Sequence, residues 1–162
     1  MKKFTGIIAI AENRVIGLQN TLPWPREYSD LKFFKEKTWG GRLIMGRKTF
    51  QGLGVTWLPN REIFVLTKFN PFGWVISECN FGVGKAKTHI CQVPNDLPDG
   101  DYWVAGGKSV YDLFMPQITE FYVTYIRGVF EGDVTIPAFE HLFPNQEEVK
   151  QTDKFRIVRY WK

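Results

Sequence analysis

An acidic residue lies inside an aromatic segment near the amino terminus, LPWPREYSDLKFF (residues 22–34). If residues 27–37 form a helix, Asp30 shares one face with Phe34, which lies one turn later, and Phe33 flanks them. A carboxylate on an apolar face is costly to bury unless a cation or a hydrogen-bonding group meets it. The spacing therefore marks Asp30 as a candidate for chemistry but leaves open what it meets.

Two later segments share one design, in which an apolar strand ends in glycine and a helical pattern follows at once. They are LIMGRKTF (43–50) and VAGGKSVYDLF (104–114). The start of a helix offers free backbone N–H groups and a partial positive charge, and glycine permits close backbone approach. Arg47, Lys48 and Thr49 add two cations and a hydroxyl to the first segment. Since any strand-to-helix turn favours glycine, the pair supports a pyrophosphate site and an ordinary pair of turns about equally.

Two familiar nucleotide motifs do not fit the chain. The GGKS stretch at residues 106–109 lacks the earlier glycine of a Walker A motif, because Tyr102 occupies that position. The spacing G-x-G-x-x-G of the standard dinucleotide fold does not occur either. A nucleotide site in this chain would therefore be of another kind.

Two further polar residues adjoin predicted strands. Arg61 directly precedes the strand IFVLT, and arginine can hold a carboxylate through two parallel N–H bonds. Thr124 lies within FYVTYI, where threonine is also simply a good strand former. Taken singly, each of the two residues is explained more simply by an ordinary structural role.

Composition limits the class of protein. The chain has 162 residues, enough for one domain, with 44% hydrophobic and 23% charged residues. Its 21 Lys and Arg against 17 Asp and Glu give a net charge of +4, and the basic residues are scattered. We therefore expect no nucleic-acid partner, whereas a small anionic ligand such as a phosphorylated cofactor suits a mild positive excess.

The cysteines and the amino terminus bear on metal and compartment. Cys79 and Cys91 form no CxxC pair and no cluster with the two histidines, so we expect no metal site and a reducing, cytoplasmic location. No apolar run approaches the roughly 20 residues of a membrane span. MKKFTGIIAIA resembles a minimal signal peptide, but Thr5 and Gly6 break its apolar run, and we predict a buried first strand instead.

The rest of the chain supplies elements that can position these residues. Short apolar runs alternate with helical patterns, which favours an α/β fold with a mostly parallel sheet covered on both faces. Helices are predicted at residues 27–37, 47–53 and 108–115. Strands are predicted at residues 4–11, 42–46, 62–67, 74–77, 88–93, 102–106, 121–126 and 155–161. The end of the chain, residues 147–161, is typical of an antiparallel hairpin, and residues 69–100 favour loops around two short strands.

Taken together, the motifs resemble the dihydrofolate reductase family over most of the chain. In that family's order they are NRVIGLQNTLPW followed by a helical acid, IMGRKTF, LPNR, AGGKSVY, YVT and EGDVTIP. The resemblance implies one domain over residues 1–162, with a mostly parallel eight-stranded sheet, about four helices and an antiparallel last strand. It also implies hydride transfer from NADPH to dihydrofolate, with antifolates as further ligands. We expect a monomer, because nothing in the sequence marks an interface.

The resemblance further implies roles for the polar residues. Asp30, buttressed by Thr124, would bind the pterin edge of the substrate and favour its protonation through a water near Trp24. Its pKa should be raised in an apolar pocket. Arg61 would hold the carboxylate of the glutamate tail. The pterin and benzoyl walls would be Leu31, Phe34, Leu53 and Leu58. The place where nicotinamide meets pterin would be lined by Ile7, Ala9 and Tyr111.

The implied cofactor site lies at the two segments in which glycine ends a strand, residues 43–50 and 104–114. We call them the glycine-led segments. Residues 12–26 resemble a mobile lid, in which Asn20 adjoins the cofactor. Lys68 and Arg47 would favour the 2′-phosphate of NADPH, and the paired glycines would be joined by a cis peptide. The remaining cofactor-binding positions would be Ala9, Gly46, Lys48, Thr49, Thr67, Gly106, Gly107, Lys108, Ser109, Val110 and Tyr111.

One departure and two alternatives remain. PREYS (25–29) is one residue longer than the common bacterial form of the family, which affects where the helix begins. A reductase of the same fold that acts on riboflavin precursors could share the phosphate-binding segments, but we would not expect it to keep both Asp30 and Arg61. A non-catalytic binding protein on this scaffold would have no need for Asp30, Trp24 and Thr124 together.

Overall fold

The structure is a computed structural model that describes residues 1–19, 21–53, 60–66, 76–80, 85–91 and 97–162. For Leu53 and for residues 76–80 and 85–91 it describes the backbone. Eleven strands lie in the described residues: β1 (Lys2–Ala11), β2 (Val15–Gly17), β3 (Arg42–Gly46), β4 (Glu62–Leu66), β5 (Ile76–Asn80), β6 (Lys85–Cys91), β7 (Gly100–Val104), β8 (Ile118–Ile126), β9 (Val134–Thr135), β10 (Asn145–Gln151) and β11 (Phe155–Trp161). The helices described are α1 (Leu31–Lys37), α2 (Arg47–Leu53) and α3 (Lys108–Phe114), and short 3₁₀ turns cover residues 26–28, 115–117 and 140–142.

Nine described strands form one sheet in the order β10-β11-β8-β1-β7-β3-β4-β6-β5, and β2 pairs with β9 apart from it. Strands β6, β4, β3, β7, β1 and β8 run parallel, while β11 and β5 run antiparallel to their neighbours. The predicted α/β class, the mostly parallel sheet and the antiparallel last strand are confirmed. The described sheet has one strand more than the eight that the family resemblance implies.

Burial on both faces explains why the sequence of β1 is an apolar run rather than an alternation of apolar and polar residues. It lies between β7 and β8, and Ile7, Ile8 and Ile10 are all buried. A central parallel strand is covered on both faces, so successive side chains are apolar. The prediction of a buried first strand is confirmed. By contrast, β10 is exposed along its whole length and carries charges that suit the edge of a sheet.

The predicted helix over residues 27–37 is wrong in its first part. The backbone forms a 3₁₀ turn over residues 26–28, becomes extended at Ser29 (φ −86°, ψ 146°) and begins α1 only at Leu31. Asp30 is thus the residue before the helix and not a member of its face. The helix over residues 47–53 is confirmed, and the third ends one residue early, at Phe114, with Pro116 in the 3₁₀ turn that follows.

Two described strands lie between residues 69 and 100, as predicted, but at shifted positions. The runs expected at residues 74–77 and 88–93 correspond to β5 and β6, which pair antiparallel with each other. The predicted hairpin at the carboxyl end is confirmed by the pairing of β10 with β11. The sheet therefore places the carboxyl ends of β1, β3 and β7 side by side, with β8 next to β1.

Candidate active site

Ala9, Gly46 and Gly106 lie toward the carboxyl edge of the parallel strands, where open α/β sheets usually bind ligands, whereas Arg61 directly precedes β4. Ala9 near the end of β1 lies opposite Thr124 on β8. Gly46 ends β3, and the backbone N–H of Gly46 donates to the carbonyl of Gly106, which follows β7 (2.8 Å). One edge of the sheet thus brings together the two kinds of motif that the sequence separates.

Asp30 and Thr124 form a direct pair. The Thr124 hydroxyl donates a hydrogen bond to Oδ2 of Asp30, across 94 residues of sequence. Thr124 is buried and Asp30 is partly buried. Burial raises the pKa of the Asp30 carboxyl above its usual range, and the bond from Thr124 opposes this rise. A carboxyl held in this way can exchange a proton at a pH nearer neutrality than a solvated aspartate.

The carboxylate of Asp30 does not serve its own helix. An aspartate directly before a helix normally accepts a bond from the free N–H groups of the first turn. Asp30 makes no such side-chain bond to α1. Its side chain bonds to Thr124 instead, so α1 lacks the stabilising cap that this aspartate could provide.

Tyr111 lies close enough to Asp30 to sense its charge. Its hydroxyl donates to the carbonyl of Ile7 (2.7 Å), which ties α3 to the central strand. Burial raises the pKa of the Tyr111 hydroxyl, and the charge of Asp30 raises it further. Tyr111 is therefore a neutral donor, and it fixes the backbone of β1 at Ile7.

Two buried polar atoms in the segment that leads to Asp30 lack a hydrogen-bond partner among the described residues. They are Nε1 of Trp24 and the hydroxyl of Ser29. Trp24 is 5% exposed, so its N–H is shielded from bulk water. Buried donors without a partner are rare and mark places where a ligand or a bound water completes the structure. Trp24 can thus donate to a molecule bound beside Asp30.

Arg61 lies at the far end of α1 from Asp30. Its Nε donates to the Thr38 hydroxyl (3.3 Å), and its Nη2 donates to the carbonyl of Lys35 in the last turn. The guanidinium carbon is 5.0 Å from the ring centre of Trp39. Because α1 has seven residues, the two charged groups flank a helix about 10 Å long. This spacing suits a ligand with a polar ring at one end and a carboxylate at the other.

The side chains of α1 divide between two packing clusters. Phe33 packs near Tyr122 (6.1 Å between ring centres) and against the cluster that contains Trp24. Phe34 packs against the cluster of β3 and β4 side chains that includes Leu43 and Ile63. Leu31 is partly exposed at the start of the helix. The helix is therefore anchored on both sides of the line that joins Asp30 to Arg61.

The glycines of the second motif allow close contact between two helix starts. A Cβ on Gly107 would lie 3.2 Å from the Thr49 hydroxyl, and one on Gly46 would lie 3.4 Å from Val110. The peptide between Gly106 and Gly107 is cis, as the resemblance implies. The beginnings of α2 and α3 thus meet at residues where side chains larger than hydrogen would crowd them. This geometry fits a phosphorylated group held between the two segments.

The cations of these segments differ in their surroundings. Arg47 and Lys48 are exposed, as is Ser109. The ammonium of Lys108 pairs with Asp112 one turn later (2.7 Å), so a phosphate at that place would compete with an acidic neighbour. The predicted positions that lie outside the described residues are Asn20, Leu58, Thr67 and Lys68, and the side chain of Leu53 is likewise not described.

The candidate lid is tied to the loop that follows β8. The N–H of Gln19 donates to Oδ2 of Asp133 (3.1 Å), and the N–H of Asp133 donates to the carbonyl of Gly17 (3.0 Å). At its base, Arg14 pairs with Glu140 (2.5 Å), whose Oε1 also accepts from the hydroxyl of Tyr125 (2.9 Å). These acidic residues were not singled out as site residues from the sequence. The motif EGDVTIP contains Asp133 and was the one signal for that contact.

Among the described residues, no group of three or more His, Cys, Asp and Glu side chains could hold a metal ion. In the same parts of the chain, no helix is long and apolar enough to span a membrane.

Comparisons with known proteins agree with this arrangement. A family model described as dihydrofolate reductase matches residues 3–160. The dihydrofolate reductase of Staphylococcus haemolyticus is 33% identical over 135 residues, which are 83% of this chain and 76% of that protein. The dihydrofolate reductase of Enterococcus faecium is 35% identical over 133 residues, 82% of this chain and 77% of that protein. A solved structure of dihydrofolate reductase from Enterococcus faecalis, complexed with NADP(H) and RAB-propyl, has a TM-score of 0.73 and 30% identity, and covers 98% of this chain and 95% of that one.

Proposed function

The chain belongs to the dihydrofolate reductase family, and from this premise we propose how its own residues perform the family's reaction. The chain is an NADPH-dependent oxidoreductase that converts 7,8-dihydrofolate to 5,6,7,8-tetrahydrofolate. NADPH, when bound, supplies the hydride. One solvent proton completes the reduction, so the 5,6 double bond gains a hydride at one atom and a proton at the other. The observation that carries the proposal is the pairing of Asp30 with Thr124.

Asp30 binds the polar edge of the pterin ring and promotes its protonation. Its carboxyl has a raised pKa because it is buried, so it retains a proton at a higher pH than a solvated aspartate. Thr124 fixes one carboxyl oxygen and leaves the other for the ligand. Trp24 supplies a buried N–H toward a water that passes the proton to the ring, and Tyr111 keeps the facing strand in place.

The other end of the substrate is held by Arg61. The bonds to Thr38 and Lys35 hold the guanidinium in a defined orientation, and a planar guanidinium suits a carboxylate. Leu31 and Phe34 on α1, with Leu53 and Leu58, form the apolar walls between the two ends. Ile7 and Ala9 border the place where the two rings meet.

The cofactor is held by the glycine-led segments. The starts of α2 and α3 bind its phosphates, with Arg47, Lys48 and Thr49 on one side and Gly106 to Ser109 on the other. The close approach of Gly46 to Gly106 supports this proposal, because the Gly46 N–H to Gly106 carbonyl bond (2.8 Å) holds the two segments side by side. Lys68 and Arg47 select the 2′-phosphate, and the lid closes over the bound cofactor and excludes water.

Three further proposals accompany the activity. We propose that the protein is a cytoplasmic monomer and that antifolates bind in the pterin pocket. The Enterococcus faecalis relative is complexed with RAB-propyl as well as NADP(H), which supports the last of these. Elution volume on a calibrated sizing column tests the oligomeric state.

Turnover with a matched pair of variants tests the proposed site. The loss of NADPH absorbance on adding dihydrofolate is followed for the natural chain, Asp30→Asn and Glu27→Gln. Glu27→Gln removes an exposed carboxylate of the adjoining 3₁₀ turn and serves as the control. We expect Asp30→Asn to lose about a hundredfold or more of the rate, with Glu27→Gln close to the natural chain.

Other results would overturn the proposal. Equal rates for the natural chain and Asp30→Asn would remove Asp30 from the mechanism. NADPH binding without oxidation by dihydrofolate would remove the substrate. In that case a riboflavin precursor, offered in place of dihydrofolate, would test the other reductase of this fold.

A further inference from the structure

An aromatic residue outside the site already described contacts Trp24. Phe130 lies in the loop between β8 and β9, residues 127–133. Its ring meets that of Trp24 edge-on, with centres 6.1 Å apart and planes inclined at 67°. It meets the ring of Tyr28 in the same manner, at 5.9 Å and 71°. Phe130 thus lies between the tryptophan of the site and the 3₁₀ turn that precedes Asp30.

The backbone of this loop is fixed from the other side by the start of the lid. The side-chain amide of Asn13 donates to the carbonyl of Phe130 (2.8 Å), and the N–H of Glu12 donates to the carbonyl of Gly128 (3.0 Å). Three residues after Phe130, Asp133 exchanges two bonds with the lid. The Phe130 ring is therefore held by backbone contacts that do not depend on Trp24.

Tyr28 is in turn fixed by the hairpin at the carboxyl end. The ammonium of Lys154 lies 4.4 Å from the centre of the Tyr28 ring. Tyr28 belongs to the segment PREYS (25–29), which directly precedes Asp30. The rings of Trp24, Phe130 and Tyr28 and the ammonium of Lys154 thus form one series of contacts. We call this series the aromatic brace.

The brace acts on a residue whose orientation is otherwise undetermined by polar contacts. Trp24 is buried, yet its Nε1 has no hydrogen-bond partner among the described residues. The other buried side chains of its cluster are Ala11, Val15, Ile126, Phe155 and Ile157, and Ala9, Tyr28, Phe33 and Phe130 pack against them. Most of the buried members are aliphatic, and aliphatic contacts restrain position more than angle, whereas an edge-to-face ring pair prefers a particular inclination. Among the described residues, the edge-to-face partner of the indole is Phe130.

We propose that Phe130 is a positioning residue that sets the direction of the Trp24 N–H toward the substrate, an inference that rests on the proposed function. Phe130 acts through Trp24 and does not touch the reacting atoms. Its removal leaves the indole buried but less uniquely oriented. Proton delivery then slows while the binding of NADPH, which lies on the glycine-led segments, stays the same.

A double-mutant cycle on hydride transfer tests this inference. Single-turnover rates at saturating NADPH and dihydrofolate are measured for the natural chain, Phe130→Leu, Trp24→Phe and the double variant. Phe143→Leu is the matched control, because Phe143 has an edge-on contact with Phe121 (6.0 Å, 89°) in a different part of the core. We expect Phe130→Leu to slow hydride transfer about fivefold, with no change in the dissociation constant of NADPH. In the Trp24→Phe background the same change should alter the rate less than about twofold.

Two results would show that Phe130 does not act through Trp24. The first is equal slowing of hydride transfer by Phe130→Leu in the natural and the Trp24→Phe backgrounds. The second is slowing by Phe143→Leu as large as that by Phe130→Leu. No slowing at all would remove the positioning role.

A spectroscopic readout keeps this inference separate from the proposed function. In the ligand-free protein, the indole N–H resonance of Trp24, assigned with Trp24→Phe, should shift and broaden in Phe130→Leu but not in Phe143→Leu. If dihydrofolate is not reduced by the natural chain, the proposed function fails while this resonance still reports on the brace. An unchanged resonance in Phe130→Leu contradicts the inference whatever the activity.

Discussion

The hydroxyl of Thr124 on β8 donates to the carboxylate of Asp30, the residue directly before α1. The bond joins the sheet to the residue that begins the approach to the helix. It holds the carboxylate in one orientation and partly offsets the effect of burial on its pKa. The proposed mechanism depends on this contact more than on any other.

Removing the Thr124 hydroxyl should change the pH dependence of the reaction in a defined direction. In Thr124→Val the strand keeps a β-branched residue, but Asp30 loses a bond that lowers its pKa. We expect the pH at which hydride transfer declines to move upward and the KM for dihydrofolate to rise about tenfold. Thr124→Ser keeps the hydroxyl and should restore both values. The prediction fails if Ser and Val variants share one pH profile.

Asp30→Asn should make the ligand-free protein more stable at neutral pH. Burial raises the pKa of Asp30 above its unfolded value, so the folded state binds more protons than the unfolded state between the two values. The free energy of unfolding therefore falls as pH rises through that interval, and asparagine removes this cost. We expect a gain of the order of 1 kcal/mol at neutral pH that disappears in acid.

Thermal melting across the pH range measures this effect. Asp153→Asn, which changes an exposed carboxylate in the hairpin turn, is the control and should show no comparable gain. A variant Asp30→Asn that melts below the natural chain at neutral pH would indicate that the carboxylate stabilises the fold.

Trp39 should influence the grip on the substrate tail. It is 60% exposed, yet its ring lies 5.0 Å from the guanidinium of Arg61. Such a contact restricts the orientation of the guanidinium and is worth about a threefold change in binding. Trp39→Leu should therefore raise the KM for dihydrofolate about threefold and leave a pterin substrate without the glutamate tail unaffected. Arg61→Lys, which loses the planar fork, should have the larger effect on the same substrate.

A second cation and ring pair, partly exposed, provides the control for Trp39. Arg159 lies 4.7 Å from the ring of Trp161 at the end of β11. Trp161→Leu should change neither KM. If Trp39→Leu weakens both substrates alike, its role is in folding rather than in recognition of the tail.

Gly132 should be required for closure of the lid. A Cβ at this position would lie 2.0 Å from Cγ1 of Val15 and 2.6 Å from the carbonyl oxygen of Gly17. Neither contact is tolerable, and a backbone oxygen cannot move aside without shifting the strand. Gly132→Ala should separate the loop from the lid, slow hydride transfer about tenfold and increase amide exchange at Gln19 and Asp133.

Gly17→Ala is the matched variant on the other side of that contact. Its Cβ would meet Val134 at 3.5 Å, an ordinary distance. It should therefore have a much smaller effect than Gly132→Ala. Similar losses in the two variants would mean that the lid is sensitive to any added methyl group and not to this clash.

Much of the fold followed from local pattern, because strands buried on both faces read as apolar runs and helices began where glycine ended a strand. The boundary of α1 did not follow, since the periodicity of residues 27–37 continues through Ser29 although the backbone there is extended. The pairing of Asp30 with Thr124 could not be derived from spacing. It depends on the register of β1 with β8, which brings Thr124 beside Ala9.

The sequence indicates part of the role of Arg61 but nothing of the role of Phe130. An arginine can be identified from sequence as a residue able to hold a carboxylate, but the burial of Arg61 beneath Trp39 and its bonds to α1 depend on the tertiary structure. Phe130 carried no polar group and stood in a loop, so no chemical pattern marked it. Its significance arises only in the folded structure, where its ring contacts the rings of Trp24 and Tyr28.

The most direct test of the role of Asp30 is the pH profile of single-turnover hydride transfer from NADPH to dihydrofolate, measured for the natural chain and for Asp30→Asn. We expect the natural rate to fall as pH rises through the raised pKa of Asp30, because the reaction needs the proton that this carboxyl retains. In Asp30→Asn the rate should be lower by about a hundredfold at neutral pH and should lack that inflection. A variant that retains the same inflection at a similar rate would show that another group governs protonation, and the central role of Asp30 would be contradicted.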